Sequence, residues 1–459
     1  MRNRFALTAA SVAVWTAVIA ACGSDSNGGG GVAPGADGAA ERGTSDAPSS
    51  TSDGTSGDAG TDTALPPPPK LSCSPAKPAF SIAAPPTKDD AWDDTLRIVR
   101  LSPTLARVVA HLKGRPQAFV YSFDPTSAAP EVTSTSLTLD FVLEIQKAPT
   151  AIDVLGLRIG TGTDAGPAAS LVLYSIDDAS GVATELPLTV PGALLTPQSY
   201  RYEPPMGRFA RIGPNDVYFA YTEEVPPTNN PTYRFWVGRV TEASGPVVPT
   251  LAASDDAHDF APITAAAVFH AGSKAYVMTG ACGVPYSSSS SDTTENATTW
   301  ILPDDGTVPA NVEKKFLDVP FWATGLPQAG TIPMAFIEEE NIFNDDRYVS
   351  VAFAPEADPS AVSLLPTHEH LYNHAVELGT EAHFEGTDLL MFGRGGGWWY
   401  DGAARAVRTS TFEYGPLPNG TSSIAAGAIT LVEKSAEKAT IDLALVSDDL
   451  WFEELSCVP

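Results

Sequence analysis

From Leu71 to the C-terminus the chain is written in short apolar or alternating runs, and no stretch sustains the 3.6-residue apolar period of a helix. Leu96 to Val99, Ala118 to Phe123, Ser170 to Ser175, Asp216 to Tyr221 and Tyr233 to Val240 are such runs, and so are Lys274 to Thr279, Tyr348 to Phe353, Asp388 to Phe392, Thr440 to Leu445 and Leu450 to Leu455. They are rich in β-branched and aromatic residues, which fit a pleated surface. Between them stand 40 prolines and 38 glycines, with hairpin signals such as Asp177 to Gly181, Asp304-Asp305-Gly306 and Asp401-Gly402. The pattern predicts an all-β chain.

The runs also recur in groups. A strong apolar strand followed by a hairpin and a second strand appears near Leu96, Leu171, Val217, Ala275, Tyr348, Leu389 and Ile441. These units resemble divergent β-propeller blades, without a Trp-Asp signature or a kelch double glycine at a fixed offset. The resemblance implies one β-propeller of about seven blades over residues 71–459, the alternative being tandem β-sandwiches. A propeller closes by pairing its first and last strands. Cys73 opens this region and Cys457 lies two residues from its end, so a bridge between them would tie first to last. Cys282 would then be the odd thiol, although spacing alone leaves the other two pairings open.

Ahead of this region lie two segments of another kind. Arg2 and Arg4 precede an uncharged apolar run from Phe5 to Ala21, which ends in Ile19-Ala20-Ala21-Cys22: the pattern of a secretory signal peptide over residues 1–22. The tetrad resembles the lipobox of bacterial lipoproteins, which implies acylation of Cys22 and attachment to a membrane through the N-terminal lipid. Gly23 and Ser24, where inner-membrane retention uses an aspartate, imply the outer membrane by the same resemblance. Residues 23–70 hold no aromatic residue and only Val32 and Leu65 as large aliphatics, so they cannot bury enough apolar surface to offset their ordering entropy. They read as a disordered tether stiffened at its end by Pro66 to Pro69.

The net charge is −28, from 55 acidic against 27 basic residues, which excludes nucleic acid and anionic headgroups as bulk electrostatic partners. Four of seven histidines crowd positions 368 to 383. His368 and His370 share one face of an extended segment and His374 follows, a set able to hold a divalent metal such as zinc, with Glu369, Glu377, Glu381 and His383 nearby. An open coordination position would activate water for hydrolysis. The spacing departs from the zincin pattern, since Leu371 stands where the glutamate base would lie between His370 and His374.

Other motifs read as structural. Gly393 to Gly397 runs into Trp398-Trp399-Tyr400 and fits a hairpin better than a phosphate loop, and the aromatic trio reads as core or as a stacking platform for a sugar. Ser74 to Lys77 and Ser435 to Lys438 match Ser-x-x-Lys without the companion motifs of penicillin-binding enzymes. Acidic groups at Asp89-Asp90, Asp93-Asp94, Asp255-Asp256, Glu338 to Glu340 and Asp345-Asp346 lack calcium-loop spacing. The sequence thus points to a tethered binding scaffold whose loops hold a protein, peptide or glycan, the alternative being a metal-dependent hydrolase.

Overall fold

The computed structural model describes residues 68–127, 129–159, 169–188, 206–214, 216–225, 232–240, 250–255, 264–272, 274–280, 299–303, 321–341, 346–359, 361, 365–371, 381–393, 396–412, 414–418 and 424–459. Cys22, most of residues 23–70, Cys282 and His374 lie outside them. The described residues form strands, turns and irregular segments only.

Strands β1 (Ser72–Pro75) and β2 (Phe80–Ala83) come first and belong to the last sheet. The first sheet is β3 (Trp92–Ser102), β4 (Leu105–Leu112), β5 (Ala118–Phe123) and β6 (Thr133–Leu137). The second is β7 (Phe141–Lys147), β8 (Ala151–Ile159), β9 (Ala169–Asp177) and β10 (Ala183–Leu188). The third is β11 (Met206–Gly213), β12 (Asp216–Val225), β13 (Thr232–Val240) and β14 (Thr250–Asp255). The fourth is β15 (Thr264–Ala271), β16 (Lys274–Gly280) and β17 (Thr299–Pro303). The fifth is β18 (Phe321–Thr324), β19 (Thr331–Asn341), β20 (Asp346–Pro355) and β21 (Leu365–Leu371). The sixth is β22 (Glu381–Glu385), β23 (Asp388–Gly393), β24 (Gly396–Asp401) and β25 (Ala406–Phe412). The seventh is β26 (Ala426–Lys434), β27 (Ala439–Val446) and β28 (Leu450–Val458), completed by β1 and β2 on the outer edge of β28.

Within each sheet the strands are antiparallel neighbours in chain order. The first strand of each sheet, in turn β3, β7, β11, β15, β18, β22 and β26, packs against the first strand of the next, and β26 packs back on β3. The ring is therefore closed, and the chain is a β-propeller: seven sheets among the described residues, against an expectation of about seven units. A row of tandem β-sandwiches would not return its last strands to its first.

The burial pattern explains why the sequence reads as unbroken apolar runs and not as alternation. A second strand is covered on both faces by neighbouring sheets, so β4 and β27 are buried along nearly their whole length. Outermost strands face solvent, and β6, Thr-Ser-Thr-Ser-Leu, is buried only at Leu137. The apolar residues accordingly gather in wedges between successive sheets. Val109, Val120, Ile152, Val154 and Val172 fill the wedge between the first and second. Leu390, Phe392, Trp399, Ile429, Ile441 and Leu443 fill the one between the sixth and seventh, and Ile98, Val108, Ala428, Ala444 and Phe452 the one between the seventh and first. Each fully buried aliphatic or aromatic side chain contributes about 1.5–3 kcal/mol.

The last sheet joins the two ends of the domain. Ser72, Cys73, Ser74 and Pro75 pair with Val458, Cys457, Ser456 and Leu455. Cys73 and Cys457, opposite each other in this register, are joined by a disulfide across a sequence separation of 384 residues. Alternation of strand direction gives the propeller two unlike faces. A hairpin face carries the turns from first to second strand, such as Pro103-Thr104, and the turns from third to fourth. The opposite crossing face carries the passages between sheets and the connections from second to third strand. Of the three longest connections, those from Gly280 to Thr299 and from Leu188 to Met206 have both ends on the crossing face, whereas that from Pro303 to Phe321 starts beside Lys274 on the hairpin face and ends on the crossing face.

Candidate functional site

The innermost strands have one edge paired within their sheet and one turned toward the ring axis. Backbone groups on an unpaired edge need partners. In two places side chains from the preceding inner strand supply them. Glu144 on β7 accepts a hydrogen bond from the Phe209 N–H on β11 at 2.7 Å, and the Gln146 side-chain amide donates to the Phe209 carbonyl at 2.8 Å. Glu385 at the end of β22 accepts from the Leu431 N–H on β26 at 2.9 Å and from the Thr430 hydroxyl at 2.6 Å. Arg97 of β3, itself buried, brings its guanidinium within 3.8 Å of Glu385. Since β26 separates β22 from β3 in the ring, this contact spans three successive inner strands on the side facing the axis. His383 completes the group, with Nε2 3.3 Å from Glu385.

The two carboxylates titrate in opposite directions. Burial pushes Glu144 up, and Arg208, 3.9 Å away, does not offset it. Burial pushes Glu385 up as well, but the hydrogen bond and charge of His383, with Arg97 and Thr430, carry it below the ordinary carboxylate range. Glu385 is thus held as an anion whose lone pairs are committed to three inner strands. It can orient neighbours and seal an edge; a general acid would need the opposite shift.

A second device stitches sheets together. Arg100 of β3 reaches the second strand of the last sheet, its Nε 2.6 Å and Nη2 2.8 Å from the two oxygens of Asp442, and Nη2 also lies 2.9 Å from Glu454. Lys77 stands 3.9 Å from Glu454 and donates to the Pro125 carbonyl. Asp442 is fully buried and burial pushes its carboxyl up to about 6, against the lowering effect of Arg100. Arg211 of β11 plays the same part for Asp153 of β8 at 3.1 Å. Arg100 and Arg211 occupy one structural position, opposite Ala106 and Val217 just before the first hairpin turn of their sheets. The local sequences match: Arg100-Leu-Ser-Pro-Thr and Arg211-Ile-Gly-Pro-Asn. That pattern is a repeat signal which sequence reading missed. A second repeat feature is the Asp that opens the turn from third to fourth strand, read in the sequence as a hairpin signal at Asp177 and Asp401 but not at Asp124. Asp124, Asp177 and Asp401 each accept backbone N–H bonds from the turn, at 2.7–3.2 Å.

Two of the three histidines of the predicted set fall on described backbone. His368 and His370 lie in β21, the outer strand of the fifth sheet, with His370 opposite Tyr348, whereas His374 lies outside the described residues. His383 belongs to the inner strand of the next sheet and serves Glu385. Among the described residues no group of three or more His, Cys, Asp or Glu is placed to hold a metal ion. His111, outside the predicted set, is buried and bridges Asp93 at 3.0 Å and the Leu139 carbonyl at 3.3 Å.

The remaining motifs take structural positions. Trp398, Trp399 and Tyr400 are core, none more than 4% exposed, so they offer no sugar platform. Ser435 and Lys438 close the first hairpin of the seventh sheet, the Ser435 Oγ accepting from the Lys438 N–H at 3.1 Å. Asp90 is tied to Arg115 and Thr87. Among the described residues no helix is long and apolar enough to cross a membrane, which leaves residues 1–22 untested.

No protein family matches the chain, and no curated protein matches it. Solved structures resemble it at low similarity. An acylaminoacyl peptidase of Pyrococcus horikoshii has 11% identity and a TM-score of 0.36 over 79% of this chain and 52% of its own, so the chain spans about half the length of that enzyme. The parainfluenza virus 5 hemagglutinin-neuraminidase ectodomain has 9% identity and a TM-score of 0.36 over 85% of each chain. A Trypanosoma rangeli sialidase has 10% identity and a TM-score of 0.35 over 78% of this chain and 59% of its own. At these scores the assignment of the fold rests on the strand topology itself.

Proposed function

We propose that the chain is an extracytoplasmic binding lipoprotein, anchored at the outer membrane through Cys22 and using its propeller to hold a protein, peptide or glycan. The observation that carries this reading is the polarity of the domain. β1 runs antiparallel to β28, so Leu71 and Ser72 enter on the hairpin face, beside the Ser435 turn and the start of β25. The connections from Leu188 to Met206 and from Gly280 to Thr299, two of the three longest, leave from the opposite, crossing face. A tether that attaches on one face turns the other toward whatever lies beyond the membrane, and long connections on a rigid scaffold are where recognition residues concentrate.

Two measurements test it. Metabolic labelling with an alkyne fatty acid should mark the chain and lose the mark in Cys22→Ser, with release from the membrane fraction. Peptide and glycan arrays probed with the soluble chain should give a ligand whose binding is lost when residues 286–295 or 191–203 are replaced by Gly-Ser and kept when Pro103-Thr104 is changed. Binding indifferent to every change on the crossing face would end the reading.

A further inference from the structure

The point where the chain enters the propeller is fastened far more heavily than a four-residue edge strand requires. β1 is largely exposed and buries little, yet the five residues from Pro69 to Cys73 carry four separate attachments. Arg408 of β25, 1% exposed, donates from Nε to the Pro69 carbonyl at 3.1 Å. Its own carbonyl accepts the Leu71 N–H at 2.6 Å. The Leu71 side chain is buried in the wedge with Trp399, Leu417 and Leu455. Cys73 is bonded to Cys457.

Arg408 is in turn fixed by everything around it. Nη1 lies 3.2 Å from Asp401, Nη2 donates to the carbonyls of Ser435 at 3.3 Å and Ala436 at 2.8 Å, and the guanidinium stands 5.3 Å from the centre of the Trp399 ring. Asp401 also takes Lys434 at 3.1 Å. One buried cation therefore joins the incoming chain, the sixth sheet and the first hairpin of the seventh.

We infer that residues 69–73 form a mechanical clamp that passes tension from the N-terminal arm directly into the ring. Pull applied at the N-terminus of an unfastened edge strand peels its hydrogen bonds one at a time, each worth about 1 kcal/mol. With the bond from Cys73 to Cys457 in place, the pull bypasses β1 and enters β28. That strand is paired with β27 from Ala439↔Cys457 to Val446↔Leu450, eight register pairs loaded together along the strand axis. Arg408 and Leu71 hold the chain upstream of the bridge, so the force meets it along the strand.

The inference rests on the tethered reading for its purpose, but its test does not use the lipid. In a Cys22→Ser, Cys282→Ser chain, one optical-tweezers handle is placed at the N-terminus and the other at Gln117→Cys, an exposed position on the crossing-face turn between β4 and β5, so that the load runs along the strands. With the bridge intact, no extension should precede rupture of the ring. After reduction of the folded molecule, an earlier event at lower force should release residues 71–83, about 45 Å at roughly 3.5 Å per residue, and Arg408→Met should lower that force further. Reduction in place avoids dependence on a bridge-free variant that fails to fold. Equal first-rupture force and extension with and without the bridge would overturn the clamp, whereas loss of acyl label would overturn only the tether.

Discussion

Asp442 offers a quantitative check on how the ring is closed. Its carboxyl is wholly buried between the seventh and first sheets, faces Arg100, Glu454 and Lys77, and is raised by burial from 3.8 to about 6. A group whose folded pKa lies above its unfolded value makes its contribution in full below the unfolded pKa and loses it as pH rises through the folded one. Asp442 therefore favours the folded state below pH 4, and that contribution fades between pH 4 and 6. The separation of about two pKa units amounts to roughly 3 kcal/mol at 1.36 kcal/mol per unit. Other carboxylates titrate in the same range, and those lowered in the fold, such as Glu385, Asp90 and Asp124, push the opposite way. The quantity to read is consequently the difference between wild type and Asp442→Asn. Chemical denaturation of both at pH 7, 6, 5 and 4 should show wild type gaining roughly 2.4 kcal/mol relative to the variant on going from pH 7 to pH 4. Arg100→Met should cost about 3–5 kcal/mol at pH 7, where it strands a buried charge, and clearly less at pH 4. A difference that stays flat with pH, or runs the other way, refutes the idea that a desolvated carboxylate sits in the closing seam.

Further expectations can be checked separately. Cys73→Ala with Cys457→Ala removes a constraint on a loop of 384 residues, for which chain entropy sets a ceiling of roughly 6 kcal/mol; an unchanged denaturation midpoint would refute it. Glu385→Gln should cost about 2 kcal/mol and speed hydrogen exchange at the Leu431 amide, since that N–H loses a charged acceptor; a protected amide would remove the edge-sealing role. Gly427→Ala would place a Cβ 2.2 Å from the Phe392 ring, an overpacking worth about 1–3 kcal/mol by thermal unfolding; no loss would mean the wedge between the sixth and seventh sheets is loose. The binding-scaffold reading expects the metal content of purified chain to be unchanged by His368→Ala, His370→Ala and His374→Ala together. Loss of a stoichiometric divalent metal would favour the hydrolase instead.

The sequence carried the architecture better than the polar chemistry, and the reason lies in how far each signal extends. Ala118 to Phe123 is apolar or aromatic at every position but Ser122 because β5 lies inside its sheet, so its boundaries could be read locally and coincide with the strand. The hairpin at Asp401-Gly402 was equally local. Asp442, by contrast, is a single acid inside the apolar run Thr440 to Leu445, and its partner Arg100 is 342 residues away. Nothing near either residue marks the pair. Glu144 and Glu385 were hidden similarly, since a carboxylate that caps the backbone of another strand has no partner residue type to search for. The likeness of Arg100-Leu-Ser-Pro-Thr to Arg211-Ile-Gly-Pro-Asn could have been found by aligning the units against one another at their hairpins.

Closure by β1 also has a consequence for how the protein is made. A chain that emerges N-terminus first presents Cys73 hundreds of residues before Cys457, and Cys282 comes out between them. The first thiol offered to Cys73 is therefore the wrong one. Until the final strand arrives, the seventh sheet lacks the edge on which β1 and β2 lie. Correct assembly then calls for Cys73 to stay reduced until the chain is complete, or for an exchange step that moves it from Cys282 to Cys457 by thiolate attack. The order of emergence, not the stability of the finished ring, makes β28 the strand that decides the pairing of Cys73.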